Sequence, residues 1–369
     1  MNQLFRWDQM GLFLLALAAG ILPFAVPEVC AAALREGLTL CSGPLLLSLF
    51  PFLVVSRLLI QCPESDLLAL PFRLAAWGIG IRTPCAARVL CIGFLGGFAP
   101  AASAAAQAVR TGQLTVEEAD ALLPACICSG PSFVVLTVGQ SLLGSAELGV
   151  LLFASQITAN YLTAALLNRF AGVRSVKPES AAPASPAPPR LDEILADAAI
   201  TYCKLCGFIL FFRMLAAGAG ALLPAGAGTL CAVLLEVCSG CDLASRTGRW
   251  GSLLCCAALS VQGLSVLLQV RTICPPEMTL RPLYRSRLLH LPLSLALFYL
   301  LLPGGEADVF STLPARVLLM RRVPPDCALL VFAVCCMAAC TLRSGIRQVE
   351  QKQMARNAGG CCINSKTLL

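Results

Sequence analysis

Long apolar stretches without a charged side chain divide this chain of 369 residues. Those of roughly 20 residues lie between positions 8 and 28, 36 and 57, 88 and 110, 120 and 147, 147 and 169, 213 and 236, 249 and 271, and 287 and 306. A helix needs about 20 apolar residues to cross the hydrocarbon core of a bilayer. Because lipid offers the backbone no hydrogen-bond partner, segments of this kind are helical. The sequence therefore predicts an all-α, polytopic membrane protein.

The composition agrees with that class and argues against nucleic acid as a partner. Charged residues make up only 13% of the chain, about half the share in a soluble domain. The net charge of +7 comes from basic residues in short loops between apolar segments, which is how positive-inside topology signals are placed. We therefore expect the bilayer, and no nucleic acid, as a partner.

The chain has 21 cysteines, most of them inside apolar segments, where a free thiol behaves as a small hydrophobe. The pairs Cys203/Cys206 and Cys238/Cys241 have the C-x-x-C spacing of redox and zinc sites. His290 is the single histidine, and zinc sites draw on cysteine and histidine together at defined spacings. We predict no metal site, and free cysteines that pack between helices.

A run rich in proline, alanine and serine, "GVRSVKPESAAPASPAPPRLDE", divides the chain and predicts a flexible linker over 172–193. The predicted units are an N-terminal transmembrane helix (1–36), two halves (37–171 and 194–303), an interfacial segment with a last transmembrane helix (304–345) and a polar basic tail (346–369).

The two halves share an order of segments. "SLFPFLVVSRLL" in the first half aligns with "KLCGFILFFRML" in the second. Each leads to a segment interrupted at glycine, "GFLGGFAPAAS" or "LEVCSGCDLAS", and then to an interrupted helix, around Pro131 or Gly263. In the two glycine-interrupted segments we expect the breaks at Gly96-Gly97 and at Ser239-Gly240. We expect Asp242 to cap the half-helix that follows the second break.

Basic loops indicate the orientation of these segments. Arg73, Arg82 and Arg88 precede the first broken segment, further basic residues lie in the linker, and Arg271, Arg281, Arg285 and Arg287 follow Gln269. If these loops and the tail are cytoplasmic, residues 85–108 enter and leave on one side as a re-entrant hairpin. The second broken segment then opens to the opposite side. The sequence thus predicts inverted-topology repeats with two re-entrant helical hairpins, an architecture that places substrate near the midplane.

The strings "LFPFLVVSRLLI", "GFLGGFAPAASAAAQAVRTGQLTVEEADALLPACICSGPSFVVLTVG", "LLLEVCSGC" and "LSVQGLSVLLQV" resemble the sporulation integral membrane protein YlbJ family. That family carries nucleoside-recognition (Gate) domains similar to those of concentrative nucleoside transporters. The resemblance covers about residues 40 to 300. It implies two Gate-like repeats and a multi-pass transporter in the cell membrane of an endospore-forming bacterium, at the outer forespore membrane, with dipicolinate, a flat aromatic dianion, as its solute class.

The candidate substrate-binding residues flank the predicted breaks or lie deep in an apolar helix: Gly96, Gly97, Ser129, Ser132, Arg213, Ser239, Gly240, Gln262 and Ser265. Glu236 is the candidate coupling site for Na⁺ or H⁺, or else a structural counter-ion of Arg213. Gln156 and Asn160 mark a polar helix face.

Three functions remain open at this point: transport of a small anionic solute, nucleoside transport, and a non-transporting sporulation scaffold or sensor. No nucleophile-base pair is evident, so we predict neither an enzyme nor a cofactor. Formation of a homo-oligomer is left open.

Overall fold

The computed structural model describes residues 2–61, 65–172 and 191–302, and every regular element in these ranges is helical. The interfacial segment, the last transmembrane helix and the basic tail predicted for 304–369 lie outside the described residues. Within these ranges, four helical stretches, two of them with an interruption inside, are long and apolar enough to cross a membrane: Pro27–Ile60, Ala146–Ala171, Leu191–Leu222 and Gly248–Ile273. The prediction of an all-α chain with membrane-spanning helices is confirmed to that extent.

The helices before the linker form one series. They are α1 (Asn2–Ala25), α2 (Pro27–Ser42), α3 (Pro44–Gln61), α4 (Ser65–Leu68), α5 (Leu70–Gly78), α6 (Pro84–Gly96), α7 (Phe98–Arg110), α8 (Val116–Cys126), a π-helix (Ser132–Leu142) and α9 (Ala146–Ala171). The predicted first transmembrane helix, 1–36, is therefore two helices, because Pro27 begins a new one and α2 continues to Ser42.

The helices after the linker form the second series. They are α10 (Leu191–Leu222), α11 (Ala225–Leu235), α12 (Val237–Ser245), a short 3₁₀ turn (Gly248–Trp250), α13 (Gly251–Val261), α14 (Gly263–Ile273) and α15 (Arg281–Leu301). Since α10 already begins at Leu191, the last three residues of the predicted linker, 191–193, are helical. Residues 173–190 lie outside the described part.

Local chemistry explains where several helices begin. Thr115 and Glu118 form a capping box at the start of α8, in which each side chain accepts from the other residue's backbone N–H. Asp120, also on α8, accepts hydrogen bonds from Thr279 and from the backbone N–H of Leu280 at the start of α15. A carboxylate of one series thus fixes a helix of the other.

Contacts between the two series are reciprocal. Helix α7 packs on α14 and the π-helix packs on α12; similarly, α8 packs on α15 and α13 packs on α9. Within each series, α6 packs on α7 and α11 on α12. The main core lies where these helices meet, and α7 is buried along most of its length by alanines, as expected where backbones approach closely.

Candidate functional site

Four breaks between helices in the described part of the chain concern the candidate site. The first break is at Gly97, as predicted, and α7 begins at the next residue. The second, between α8 and the π-helix, covers residues 127–131, and the fourth is at Gln262, directly before Gly263. The third break was predicted at Ser239-Gly240 and is instead at Glu236, whose extended backbone separates α11 from α12.

The breaks touch one another in pairs. Gly97 has a φ of +81°, and a β-carbon there would lie 2.7 Å from the backbone nitrogen of Gly130 in the second break. Gly263 has a φ of +70°, and a β-carbon there would lie 2.9 Å from the backbone nitrogen of Glu236 in the third break. Only glycine fits either position, because both the backbone angle and the space exclude a side chain.

Amide side chains connect the first series to the second. The carbonyl oxygen of Ile127, which is left without a helical partner by the second break, accepts from Gln262 Nε2 at 3.2 Å and from Asn160 Nδ2 at 3.3 Å. Gln262 itself is held in the left-handed region, with a φ of +63°. Gln262 is therefore a bridge between the second and fourth breaks.

Glu236 caps the helix that it precedes. Its carboxylate oxygens accept from the backbone N–H groups of Cys238 at 2.8 Å and Ser239 at 2.7 Å, and the residue is only 2% exposed. These are two of the N–H groups that a helix start leaves unpaired and that attract anions. The anion-binding position at the start of α12 is thus occupied by the chain's own carboxylate.

A cavity of about 60 Å³, here called the inner cavity, lies among the breaks. The first residues of α7, the π-helix and α12 line it, so three helix N-termini border one space, and that of α12 is already capped by Glu236. Residues on α3, α10 and α14 complete the wall, among them Leu49, Ile209 and Gln269. The buried Oε1 of Gln269 has no hydrogen-bond partner within the described part of the chain. It is an acceptor available to a solute or to water.

Four of the ten predicted site residues line the inner cavity: Gly96, Ser129, Ser132 and Glu236. Ser265 contacts the cavity wall indirectly, because its hydroxyl accepts from Gln269 Nε2 at 2.9 Å. Gly97 and Gln262 are not lining residues; they make the contacts between breaks described above. Ser239 and Gly240 lie inside α12 rather than at a turn.

Two charged residues have ion-pair partners other than those expected from the sequence. Arg213 pairs with Glu36 of α2 at 2.7 Å, and the described residues contain no ion pair between Arg213 and Glu236. Asp242 does not cap a helix: it lies within α12 and pairs with Arg246, one turn further on, at 2.8 Å.

A buried polar network joins α9, α13 and α15, and the sequence reasoning missed most of it. Gln156 donates to Ser260 at 3.0 Å, and the backbone oxygen of Gln156 lies 3.2 Å from Nε2 of His290. Arg287 had been placed among the loop charges, yet it is 8% exposed and donates to Asn160 at 3.4 Å. Ser286, His290 and Ser294 recur every four residues on α15, and that spacing would have indicated a polar buried face.

Comparison of the chain with family models, curated proteins and solved structures gave no match. The resemblance to the YlbJ family stays a prediction. The cysteines of both C-x-x-C pairs are free, and the residues that the structure describes include no group of His, Cys, Asp and Glu arranged to hold a metal ion.

Proposed function

We propose that the protein is a secondary transporter of a small organic anion, and that Glu236 couples transport to a proton or Na⁺. The observation that carries this proposal is the position of the Glu236 carboxylate. Glu236 lines the inner cavity, and its carboxylate occupies the N–H groups of Cys238 and Ser239 that would otherwise bind an anion.

The coupling follows from competition for one position. Two carboxylates close together in a poorly hydrated cavity repel each other, so a solute anion is disfavoured while Glu236 is charged. A proton on Glu236 removes its charge and weakens its acceptance of the two backbone N–H bonds, since a neutral carboxyl is a poorer acceptor than a carboxylate. Na⁺ bound to the same group offsets the charge in the same way. The anion then binds only together with the coupling ion.

The reciprocal contacts support a repeat of inverted topology. In order along the two series, α7 corresponds to α12, the π-helix to α14, α8 to α13 and α9 to α15. The contact of α7 with α14 then corresponds to that of α12 with the π-helix, and the contact of α8 with α15 to that of α13 with α9. In inverted repeats, one broken hairpin opens to each side of the membrane and the solute site lies between them. We propose that α6–α7 and α11–α12 are these hairpins.

The first hairpin gives a direct test of topology. Cysteines introduced at Pro84 and Gly112, on either side of α6–α7, should react with a membrane-impermeant maleimide from the same side in oriented vesicles. The unmodified chain gives the background from native cysteines. Labelling of the two positions from opposite sides would show that the segment crosses the membrane and would refute a re-entrant hairpin.

The family resemblance makes dipicolinate the first solute to test and places the proposed activity at a sporulation membrane. A nucleoside-like solute is the second candidate, because the unpaired Oε1 of Gln269 and the lining hydroxyls suit a neutral polar molecule. A scaffold or sensor without transport has less support, since it does not require a carboxylate among broken helices.

Uptake into vesicles tests the proposal. Purified protein in liposomes should accumulate labelled dipicolinate or another small carboxylate when a proton or sodium gradient is imposed, and unlabelled competitors should reduce the uptake. Protein-free liposomes are the control. If neither carboxylates nor nucleosides are taken up under any gradient, although the protein is correctly inserted, transport of these solutes is refuted.

A further inference from the structure

A second cavity, here called the vestibule, has a volume of about 160 Å³ and lies between α3, α7, α10 and α14. Its charged lining residues are Arg57, Arg110, Lys204 and Asp197, so three cations face one carboxylate. Asp197 pairs with Arg57 at 2.6 Å, while Arg110 and Lys204 are exposed. The vestibule therefore keeps an excess of positive charge.

The polar groups of the vestibule include one that its own fold leaves unsatisfied. Ser103 is 3% exposed, and its Oγ has no hydrogen-bond partner in the described part of the chain. A buried hydroxyl without a partner is costly. An arginine at the end of α7 is explained by the helix dipole, and a lysine beside lipid by snorkelling. Neither explanation accounts for the unpaired hydroxyl of Ser103 in a cavity lined by three cations.

Four helices, α3, α7, α10 and α14, contribute to both the vestibule and the inner cavity, at different positions along their lengths. Along α3, α7 and α14, the vestibule residues follow those of the inner cavity: 57 follows 45 and 49, 103–110 follow 98, and 272–273 follow 266 and 269. Along α10 the order is reversed, because 197–205 precede 209. The vestibule thus lies beyond one end of the inner cavity.

An apolar cluster separates the two cavities. Leu205 and Ile273 line the vestibule, Leu49 and Phe98 line the inner cavity, and all four pack in one cluster around Leu53. Leu53 is fully buried. The cluster members that line the two cavities are apolar side chains, which can change rotamer.

We infer that the vestibule is an anion-binding site through which the solute reaches the inner cavity. This inference rests on the proposed function, because it states through which cavity the transported solute enters and that this solute is an anion. Cations at the mouth of a cleft raise the local concentration of anions and the rate of their entry. Anion binding in the vestibule has its own readout, which does not depend on transport.

Fluorescence quenching measures this property directly. Ile200 lines the vestibule and is 55% exposed, so Ile200→Trp places a reporter there, and the parent protein supplies the signal of the three native tryptophans. When each quenching constant is divided by that for free tryptophan, we expect the iodide value for the reporter to exceed the caesium value at least about threefold. Lys204→Gln or Arg110→Gln should lower the iodide quenching constant about two- to fivefold, less at high salt, and leave quenching by neutral acrylamide unchanged.

Arg169→Gln is the matched control, because it removes one exposed cation from α9, a helix that contributes nothing to the vestibule. It should leave the iodide constant unchanged. Equal iodide and caesium quenching constants, each relative to free tryptophan, would overturn the inference. So would an iodide constant that Lys204→Gln and Arg110→Gln leave unchanged. Selective iodide quenching in a protein that transports nothing would support the anion site and refute the proposed function.

Discussion

Replacing Glu236 with glutamine should abolish accumulation of the solute against its gradient while the protein remains folded. Glutamine has nearly the same shape, and its carbonyl oxygen still accepts one of the two bonds from Cys238 and Ser239. It takes up no proton and attracts Na⁺ weakly. Uptake driven by a proton or sodium gradient should therefore fall at least about tenfold, the equivalent of about 1.4 kcal/mol or more.

Binding and coupling should respond differently to this substitution. Without a carboxylate at the start of α12, the solute anion no longer competes with a negative charge, so Glu236→Gln should bind it with little dependence on pH. Loss of a full cap costs about 1 kcal/mol of stability, which a small decrease in the thermal midpoint would report. Ligand-dependent thermal shifts across a range of pH separate the two effects.

Asp242→Asn is the matched control for Glu236→Gln. Asp242 lies on the same helix, is also a carboxylate, and pairs with Arg246 in an exposed position. Its neutralisation should leave uptake and gradient dependence unchanged. If Glu236→Gln accumulates solute normally over a range of pH and sodium concentrations, Glu236 is a structural cap only and the coupling mechanism is wrong.

The sequence predicted three of the four breaks because glycine and proline mark them. Gly97, Pro131 and Gly263 lie at or beside the breaks observed. The break at Glu236 was placed three to four residues too late, since glutamate is not among the favoured capping residues and the Ser239-Gly240 pair is the stronger local signal. Glycine at 240 serves packing instead, because a β-carbon there would lie 2.8 Å from the backbone of Val233.

Long-range partners were beyond the reach of the sequence. Glu36 and Arg213 are 177 positions apart, and nothing in the local pattern of either segment selects the other as its partner. Glu236 appeared to be the natural counter-ion only because it lies on the next segment. The buried position of Arg287 was missed for a related reason: a basic residue near a loop resembles a topology signal until the faces of its helix are compared.

Gly97→Ala should be the most destabilising single substitution in the first hairpin. Its φ of +81° and ψ of −163° belong to a region that is essentially restricted to glycine, which costs other residues about 1–3 kcal/mol. In addition, the new β-carbon would lie 2.7 Å from the nitrogen and 3.0 Å from the α-carbon of Gly130. Both are backbone atoms, so the second break must move to make room, and overpacking of this kind adds about 1–3 kcal/mol.

Gly112→Ala separates the two causes of that destabilisation. Gly112 also has a positive φ, +69°, but a β-carbon there would meet nothing within 4 Å. It should therefore show only the backbone strain of a left-handed residue, about 1–2 kcal/mol. The measurement compares thermal midpoints and the monodisperse fraction of both variants in detergent. Equal losses of thermal stability would mean that a β-carbon at position 97 does not clash with Gly130. A much larger loss for Gly97→Ala would establish the contact that brings the first and second breaks to the same cavity.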